Sequence, residues 1–301
     1  MNNYLGSSET LREIILTQFH FKEYIEKGTP QHKPLTNTVF LEWFIGFFEA
    51  EGSFLVWPNG RSGNRFGIDI TQKDPGLIYK IRTRLGFGKV VDCTKKGNLP
   101  SSTLRFYVNK RIDLERLILL FNGNLITEKK RNQFANWIHL INLQYGTTYY
   151  VLPIKQKFFF LNNAWLSGFL EGDGGFWVSD KNILRLKDGN TSLQLRMKFY
   201  ITQKEELKFL QEMAVLFKIT SKIGTLTNGS SDVFYNRLET SKLESHFLVL
   251  KYLEQYPFLG KRAIQLRRWS RLVKYRSQPY ALTPKGLLKF IRLIKQTKPA
   301  D

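Results

Sequence analysis

Cysteine is nearly absent from this chain, because Cys93 is the only one among 301 residues. A single thiol excludes an intramolecular disulfide and a cysteine-rich zinc site, and it is typical of a reducing compartment. The sequence also lacks a charge-free apolar run of transmembrane length. Four glutamates among the first 26 residues argue against a secretory signal or an organellar presequence.

Acidic residues are scarce as well. The chain has 25 Asp and Glu against 46 Lys and Arg, which gives a net charge of +21 and an isoelectric point near 9.9. With 42% hydrophobic residues, this excess indicates a folded protein with a polyanionic partner, either nucleic acid or an anionic membrane surface. A membrane-binding protein would concentrate its charge on one amphipathic helix. Here both halves are basic, which favours a long polyanion.

Two stretches of the sequence are copies of one another. Residues 44–52 read FIGFFEAEG, and residues 166–174 read LSGFLEGDG. Each is an apolar run that ends in an acid, a small residue, a second acid and glycine. Carboxylates among apolar side chains must be paired, protonated or bound to a cation. One copy alone would equally fit a buried core helix that ends in acids, but the repeat argues against coincidence.

Each copy is predicted to form a helix with one face of small residues. Gly46 and Ala50 lie four residues apart, as do Gly168 and Gly172, so two such helices could pack closely face to face.

The second acids, Glu51 and Asp173, would then emerge side by side at the helix C-termini. The helix dipole is negative there, so a divalent metal ion is the predicted compensating charge. Gly52 and Gly174 are predicted to adopt left-handed C-cap conformations.

The rest of each half repeats too. Gln203 follows Gln72 by 131 residues and Lys261 follows Lys129 by 132, whereas Asp173 follows Glu51 by 122. The nine-residue jump predicts a longer hairpin at 180–190. Alternating apolar residues predict strands, including one strand over 192–202. The predicted fold class is α+β, with an αββαββα(α) unit used twice and an antiparallel sheet in each half.

Breaks in the pattern predict the domain boundaries. A short helix capped by Ser8 should run to about residue 26 in the first segment. The predicted segments are an N-terminal extension over 1–36, a first repeat over 37–144, a linker over 145–160, a second repeat over 161–277 and a C-terminal tail helix over 278–301.

These residues resemble the LAGLIDADG homing endonucleases, in the single-chain form that carries two motifs and is encoded in organellar introns. The resemblance includes both nonapeptides, the sequence ITQK at 70–73 and 201–204, and the stretch LTPKGLL at 282–288. It implies a pseudo-twofold monomer whose motif helices pack at the centre and whose curved sheets form a saddle on a long DNA target. It also implies cleavage of both strands across the minor groove, which leaves short 3′ overhangs.

The resemblance assigns roles to particular residues. Glu51 and Asp173, with Gly52 and Gly174 beside them, would hold divalent metal. Mg²⁺ is the expected ion, and Ca²⁺ is expected to support binding without cleavage. Gln72 and Gln203 would position water or phosphate, although polar residues at strand ends would look the same. Lys129 and Lys261 would neutralise developing charge, with Lys130, Arg131 and Arg262 as neighbouring alternatives. The remaining motif acids, Glu49 and Glu171, are predicted to be structural and to bond to the partner helix or to backbone.

Polar strand faces and basic loops are predicted to bind DNA, because a two-stranded ribbon fits the major groove. A merely solvated basic face would look similar at any one position. The predicted base readers are Arg65, Asp69, Arg105, Tyr107, Gln194, Arg196, Lys198, Tyr235 and Arg237, and the predicted phosphate contacts are Arg61, Lys95, Lys96, Arg185 and Lys187.

Two other functions are compatible with the same charge. An RNA maturase would help its host intron to splice, and a DNA-binding protein could use the saddle without cutting. Retention of both acids favours the nuclease. The resemblance further predicts a protein made inside an organelle, in the mitochondrion in preference to the chloroplast.

Overall fold

The computed structural model describes residues 19–33, 37–60, 63–93, 103–153, 160–179, 184–187, 190–193, 196–228, 231–278 and 283–297. The chain divides into two compact units, Met1–Gly172 and Asp173–Asp301. Each unit contains a four-stranded antiparallel sheet with helices, which confirms the predicted α+β class. No described helix combines the length and the apolar character that a membrane span requires.

The first unit follows the predicted order of elements. Its helices and strands are α1 (Thr38–Glu51), β1 (Gly52–Pro58), β2 (Asn64–Gln72), α2 (Pro75–Leu85), β3 (Lys89–Asp92), β4 (Leu104–Val108), α3 (Arg111–Phe121) and α4 (Glu128–Tyr145). The strand order in the sheet is β1-β2-β4-β3. The second motif helix, α5 (Trp165–Asp173), belongs to this unit as far as Gly172.

The second unit repeats the sheet and adds a hairpin. Its elements are β5 (Gly174–Val178), β6 (Leu184–Lys187), β7 (Asn190–Leu193), β8 (Met197–Gln203), α6 (Leu207–Leu216), β9 (Gly224–Asn228), β10 (Ser231–Thr240), α7 (Leu243–Gln255), α8 (Arg262–Arg276) and α9 (Pro284–Thr297). The main sheet has the order β5-β8-β10-β9, which is the same as in the first unit, and β6 pairs with β7. The longer hairpin predicted for this half is confirmed.

The local sequence explains where helix α2 begins and ends. The side chain of Asp74 caps α2 by accepting a hydrogen bond from the amide of Leu77 at 3.2 Å, and Pro75 occupies the first helical position. Gly86 then ends the helix in the left-handed conformation, with φ of +81°.

Two predicted elements were wrong. The strand expected over 192–202 is divided, because β7 pairs with β6 in the hairpin while β8 pairs with β5 and β10 in the main sheet. The helix expected to reach residue 26 is not continuous, since residues 19–21 are not helical and a π-helical turn occupies Tyr24–Gly28. Both backbone polar groups of His20 bond to the side chain of Asn124, at 2.7 and 3.1 Å, which holds this segment out of a helix.

The core of the first unit is aromatic. Phe48 stacks on Phe121 with ring centroids 4.5 Å apart, and Phe54 lies 5.2 Å from Trp137. These rings join α1, β1, α3 and α4 into one apolar layer behind the sheet. Rings of this kind contribute stability through buried area and specific geometry.

Candidate functional site

The motif helices α1 and α5 pack together through glycine. A Cβ atom on Gly46 would lie 1.9 Å from the carbonyl oxygen of Trp165, and one on Gly168 would lie 1.8 Å from that of Trp43. A Cβ on Gly172 would lie 2.4 Å from the Cβ of Ala50. No side chain fits at such distances, so the predicted faces of small residues are confirmed.

A reciprocal pair of hydrogen bonds fixes the register of these two helices. The indole Nε1 of Trp43, which precedes the first motif, donates to Oε2 of Glu171 at 3.0 Å. The indole of Trp165, which precedes the second motif, donates to Oε2 of Glu49. Each tryptophan therefore bonds to the first acid of the opposite motif. Because all four side chains are buried, neither bond competes with water.

Glu49 also ties the first motif to the loop before α4. Its Oε1 accepts hydrogen bonds from the amides of Ile126 and Thr127, both at 2.8 Å, and from the Thr127 hydroxyl at 3.0 Å. Burial raises the pKa of Glu49 to about 7, and the hydrogen bonds offset only part of that shift. The prediction that Glu49 and Glu171 bond to backbone or to the partner helix is confirmed.

The second acid of each motif stands at the junction of a helix and a strand. Glu51 ends α1 and is half-buried, and Asp173 ends α5. In the second unit, the side-chain amide of Gln203 at the end of β8 donates to Oδ2 of Asp173 at 2.5 Å. Gln72 occupies the equivalent strand end in the first unit. The register explains both placements, because Gly52 pairs with Ile70 and Gly174 pairs with Ile201, two residues before each glutamine.

The prediction of left-handed caps at the motif glycines was wrong. Gly52 has φ of −84° and ψ of 161°, and it begins β1, while Gly174 begins β5. The chain turns directly from helix into strand at both positions. Glycine is needed at 52 for space, since a Cβ there would lie 2.1 Å from the ring of Phe48.

A cation reaches the last glycine of each motif. The ammonium of Lys130, which is buried, donates to the carbonyl oxygen of Gly52, and the guanidinium of Arg262 donates to that of Gly174. Lys130 and Arg262 are themselves 132 residues apart. Lys129 and Lys261, their neighbours in sequence, are exposed, and their catalytic role stays a prediction.

The donor atoms of the two half-sites suit a hard divalent cation. Each half offers one carboxylate, and carboxylate oxygens are ligands of Mg²⁺ and Ca²⁺. The carbonyl of the adjacent glycine already accepts a hydrogen bond from Lys130 in the first half and from Arg262 in the second. The part of the chain that the structure describes contains no group of three or more His, Cys, Asp and Glu residues that could hold a metal ion.

The polar face of the first sheet carries several of the predicted DNA contacts. Phe66, Ile68 and Ile70 of β2 are buried as predicted. On the opposite face, Nε of Arg105 bonds to Oδ2 of Asp69 at 2.7 Å. The Arg105 guanidinium also lies 5.7 Å from the centre of the Tyr107 ring, and Arg65 is exposed.

The second sheet is built in the same way. Nζ of Lys198 bonds to Oε1 of Glu239 at 2.5 Å. Nε of Arg237 bonds to the hydroxyl of Thr202 at 2.9 Å, and the Arg237 guanidinium lies 4.5 Å from the Tyr200 ring centre. Tyr235 is half-buried and Arg196 is exposed. Arg105, Lys198 and Arg237 are thus each held in place by a neighbouring acid, hydroxyl or ring.

The other predicted contacts are less defined. Arg185 and Lys187 lie on β6, opposite Ser192 and Asn190 of β7. Arg61, Lys95, Lys96 and Gln194 lie outside the described residues.

Comparison with known proteins decides the family. The family model for "LAGLIDADG endonuclease" matches residues 44–141 and 166–273, about two thirds of the chain. The chain belongs to the LAGLIDADG endonuclease family. The resemblance that the sequence motifs indicated is confirmed.

Relatives and solved structures agree with this assignment. "Probable intron-encoded endonuclease 4" of Neurospora crassa is 27% identical over 270 residues, which cover 89% of this chain and 46% of that protein. The chain thus spans about half the length of that relative. "Intron-encoded RNA maturase bI4" of Saccharomyces cerevisiae is 25% identical over 195 residues, covering 61% of this chain and 28% of that one.

The fold is that of the LAGLIDADG meganucleases. A crystal structure of meganuclease I-SmaMI bound to uncleaveable DNA matches with a TM-score of 0.65 and 20% identity, over 88% of this chain and all of that one. Such a likeness shows the fold, and it agrees with the predicted α+β class with one antiparallel sheet in each half.

In this LAGLIDADG chain, the sequence did not indicate that Lys130 and Arg262, in preference to their neighbours, contact the motif glycines. The signal was present, because their spacing equals that of Lys129 and Lys261. Periodicity alone does not say which of two adjacent basic residues at the start of a helix points inward. The contact with the Gly52 and Gly174 carbonyls identifies the inward pair.

Proposed function

We propose that this chain is a site-specific DNA endonuclease. In this proposal, it makes a staggered double-strand break with short 3′ overhangs in a long target, and the reaction depends on a divalent metal, Mg²⁺. The duplicated half-site carries the proposal. Each copy has an acid where a motif helix meets a strand, a glutamine at the end of the neighbouring strand, and a cation on the last motif glycine.

In the proposed mechanism, the carboxylates of Glu51 and Asp173 would hold divalent metal. Gly52 and Gly174 lie beside them, and their carbonyls accept hydrogen bonds from Lys130 and Arg262. When bound, the metal would lower the pKa of the attacking water and stabilise the leaving oxygen. Gln203 orients the Asp173 carboxylate through its 2.5 Å hydrogen bond, and Gln72 is assigned the same task beside Glu51. Lys129 and Lys261 neutralise charge that develops on the phosphate.

Target recognition is assigned to the polar faces of the two sheets. Arg65, Asp69, Arg105 and Tyr107 would read bases in one half-site of the DNA. Because Asp69 fixes the Arg105 Nε, the outer guanidinium nitrogens are left to contact a base edge. In the second half, the proposed readers are Gln194, Arg196, Lys198, Tyr235 and Arg237. The proposed phosphate contacts are Arg61, Lys95, Lys96, Arg185 and Lys187.

The proposed setting follows the family. We infer a monomer that acts on double-stranded DNA and is encoded by a mitochondrial intron. The names of the relatives support an intron origin, and another similar yeast protein is described as mitochondrial.

The test begins with a pool of duplexes that contain a randomised region. Duplexes are selected by binding in Ca²⁺, transferred to Mg²⁺, and their ends are resolved on a sequencing gel. Asp173→Asn should bind the selected duplex but leave it uncut. Glu212→Gln, which removes one negative charge from an exposed position on α6, is the matched control and should cut normally.

Selective binding without any metal-dependent cut would disprove the catalytic assignment and leave a DNA-binding protein. Cleavage that persists undiminished in Asp173→Asn would disprove the role of that acid.

An RNA maturase is the second candidate, and the similarity to a yeast maturase over 61% of this chain favours it. Its test is splicing of the host intron RNA in vitro with and without the protein. If Asp173→Asn stimulates splicing as well as the unchanged chain, the two activities are separable. If no intron RNA responds, the maturase candidate is excluded.

A further inference from the structure

A cleft of about 770 Å³ opens beside β3, the edge strand of the first sheet. Five chain segments build its walls. They are residues 26–32 next to the π-helical turn, the end of α2, residues 86–89, the end of β4 and the start of α3. Among the proposed catalytic, metal-binding and base-reading residues that the structure describes, Tyr107 alone lines this cleft.

The walls of this cleft are strongly basic. Five cations line it against two acids, Glu26 and Asp113. The cations come from four separate segments and are Lys27, Arg82, Lys89, Lys110 and Arg116. All but Arg116 are exposed, and those four form no ion pair with any residue that the structure describes. Unpaired cations that converge on a concavity repel one another unless an anion joins them.

Arg116 is the least exposed of the cations that line the basic cleft. Its Nη1 bonds to Oδ1 of Asp113 at 2.5 Å, and its guanidinium lies 5.8 Å from the centre of the Phe87 ring. Its Nε is buried and lacks a hydrogen-bond partner among the described residues. Asp113 and Phe87 thus hold the guanidinium in one place, and a planar guanidinium that is fixed in this way suits the binding of phosphate oxygens.

The start of α3 adds to the positive potential. This helix has 11 residues, and its N-cap residue, Lys110, makes no capping bond with its side chain. Ile112 and Asp113 of its first turn line the cleft. The N-terminal end of a helix carries a partial positive charge, which favours an anion nearby.

The basic cleft adjoins the polar face of the first sheet. Lys89 and Tyr107 are cross-strand partners on β3 and β4, and both line the cleft. Tyr107 in turn lies beside Arg105, a proposed base reader. A duplex that follows the polar face would therefore meet the cleft at the edge strand.

We propose that this cleft binds backbone phosphates of DNA that continues past the recognised sequence on the side of the first repeat. The proposal rests on the proposed endonuclease function. It assigns a role to residues 26–32, which precede the repeats and build one wall. The cleft carries lysines, which bind phosphate as point charges, so it contributes affinity without reading sequence.

The test compares two duplexes that contain the selected target. One ends at the target boundary on the first-repeat side, and the other extends about one helical turn further with arbitrary sequence. The unchanged chain should bind the longer duplex about tenfold more tightly, and its plot of log K against log salt should be steeper by about 2, if two phosphates are held.

The double variant Lys27→Gln/Lys110→Gln should lose this preference for the longer duplex. Its affinity for the short duplex and its rate of cutting that duplex should not change. The control is Lys208→Gln/Lys251→Gln, which removes two exposed lysines of the second unit and should keep the preference.

Equal affinity of the unchanged chain for both duplexes would overturn the proposal. The proposal would also be overturned if the Lys27→Gln/Lys110→Gln variant lost the same amount of affinity for both duplexes. A preference that appears only with an RNA extension would overturn it too. If neither the unchanged chain nor any variant cuts the short duplex, the proposed endonuclease function is disproved, whereas the phosphate-binding role of the cleft is judged by affinity. The two proposals can therefore fail separately.

Discussion

At the scale of single residues, the contacts that shape the proposed centre are indirect. Asp173 is oriented by Gln203, and the carbonyl of Gly174 accepts a hydrogen bond from Arg262. The positions of the second acids at the ends of the motif helices, and of the glutamines at the ends of the neighbouring strands, could be predicted from the motif and its repeat spacing. The inward placement of Lys130 and Arg262 could not, because it depends on how α4 and α8 pack against their sheets.

We predict that Gln203→Ala slows cleavage without weakening target binding. Loss of the 2.5 Å hydrogen bond frees the Asp173 carboxylate, and loss of an orienting partner of a metal ligand costs about 10- to 100-fold in activity. A plasmid assay should show nicked circles accumulating before linear product, because one half-site is impaired. Gln255→Ala, at the end of α7, is the control. Equal slowing of the cleavage of both DNA strands would contradict the prediction.

Glu49 should make stability depend on pH. Burial raises its pKa to about 7 in the folded chain, whereas an unfolded glutamate titrates near 4.5. Between these values the folded state holds the extra proton, so the free energy of unfolding falls as pH rises from about 4.5 to 7.

The variant Glu49→Gln cannot titrate and should remove this dependence. Relative to the unchanged chain, its free energy of unfolding should rise by about 3 kcal/mol between pH 4.5 and 7.5. Urea titrations at several pH values measure this difference. A difference that stays constant with pH would contradict the raised pKa.

At the scale of elements, the helices of the two repeats and the first sheet were predictable, whereas the structure of the N-terminal segment and the division of one strand were not. The period of the apolar residues indicated β8, but it continued into β7, and only pairing with β6 divides them. The residues around His20 have helical composition, yet Asn124 holds their backbone groups. In both cases a partner distant in sequence overrides the local preference.

The interface between α1 and α5 gives a prediction at this scale. Gly168→Ala places a Cβ 1.8 Å from the Trp43 carbonyl oxygen, so the helices must separate. We expect a loss of more than about 3 kcal/mol in the free energy of unfolding, as for other severe overpacking of a core. The variant should also lose cleavage.

Gly76→Ala is the matched control for this substitution. Gly76 lies in the first turn of α2, and the nearest atom to an added Cβ is 3.4 Å away. Alanine there should be neutral or stabilising by up to about 1 kcal/mol. Chemical denaturation of both variants measures the contrast. Equal stability of the two would mean that the helices do not need close contact.

At the scale of the whole molecule, charge dominates the expected behaviour. The composition predicted a polyanionic partner, and a net charge of +21 should make target binding strongly sensitive to salt. With 6–10 phosphate contacts, the association constant should fall by about 10³- to 10⁵-fold between 50 and 200 mM salt. Fluorescence anisotropy at constant Ca²⁺ measures this, with a duplex of scrambled sequence as the control. A nearly flat dependence would contradict the phosphate contacts.

The crossed bonds of Trp43 with Glu171 and of Trp165 with Glu49 have a consequence for recombination. Each repeat supplies the donor for one bond and the acceptor for the other, so a hybrid made by exchanging one repeat inherits half of each pair. An exchanged repeat that lacks the tryptophan removes one hydrogen bond from a buried carboxylate, and one that lacks the glutamate removes the carboxylate acceptor of a buried indole. Chimaeras of this family should therefore fold best when the parents share both residues. The lineage of this chain should likewise retain or lose them together.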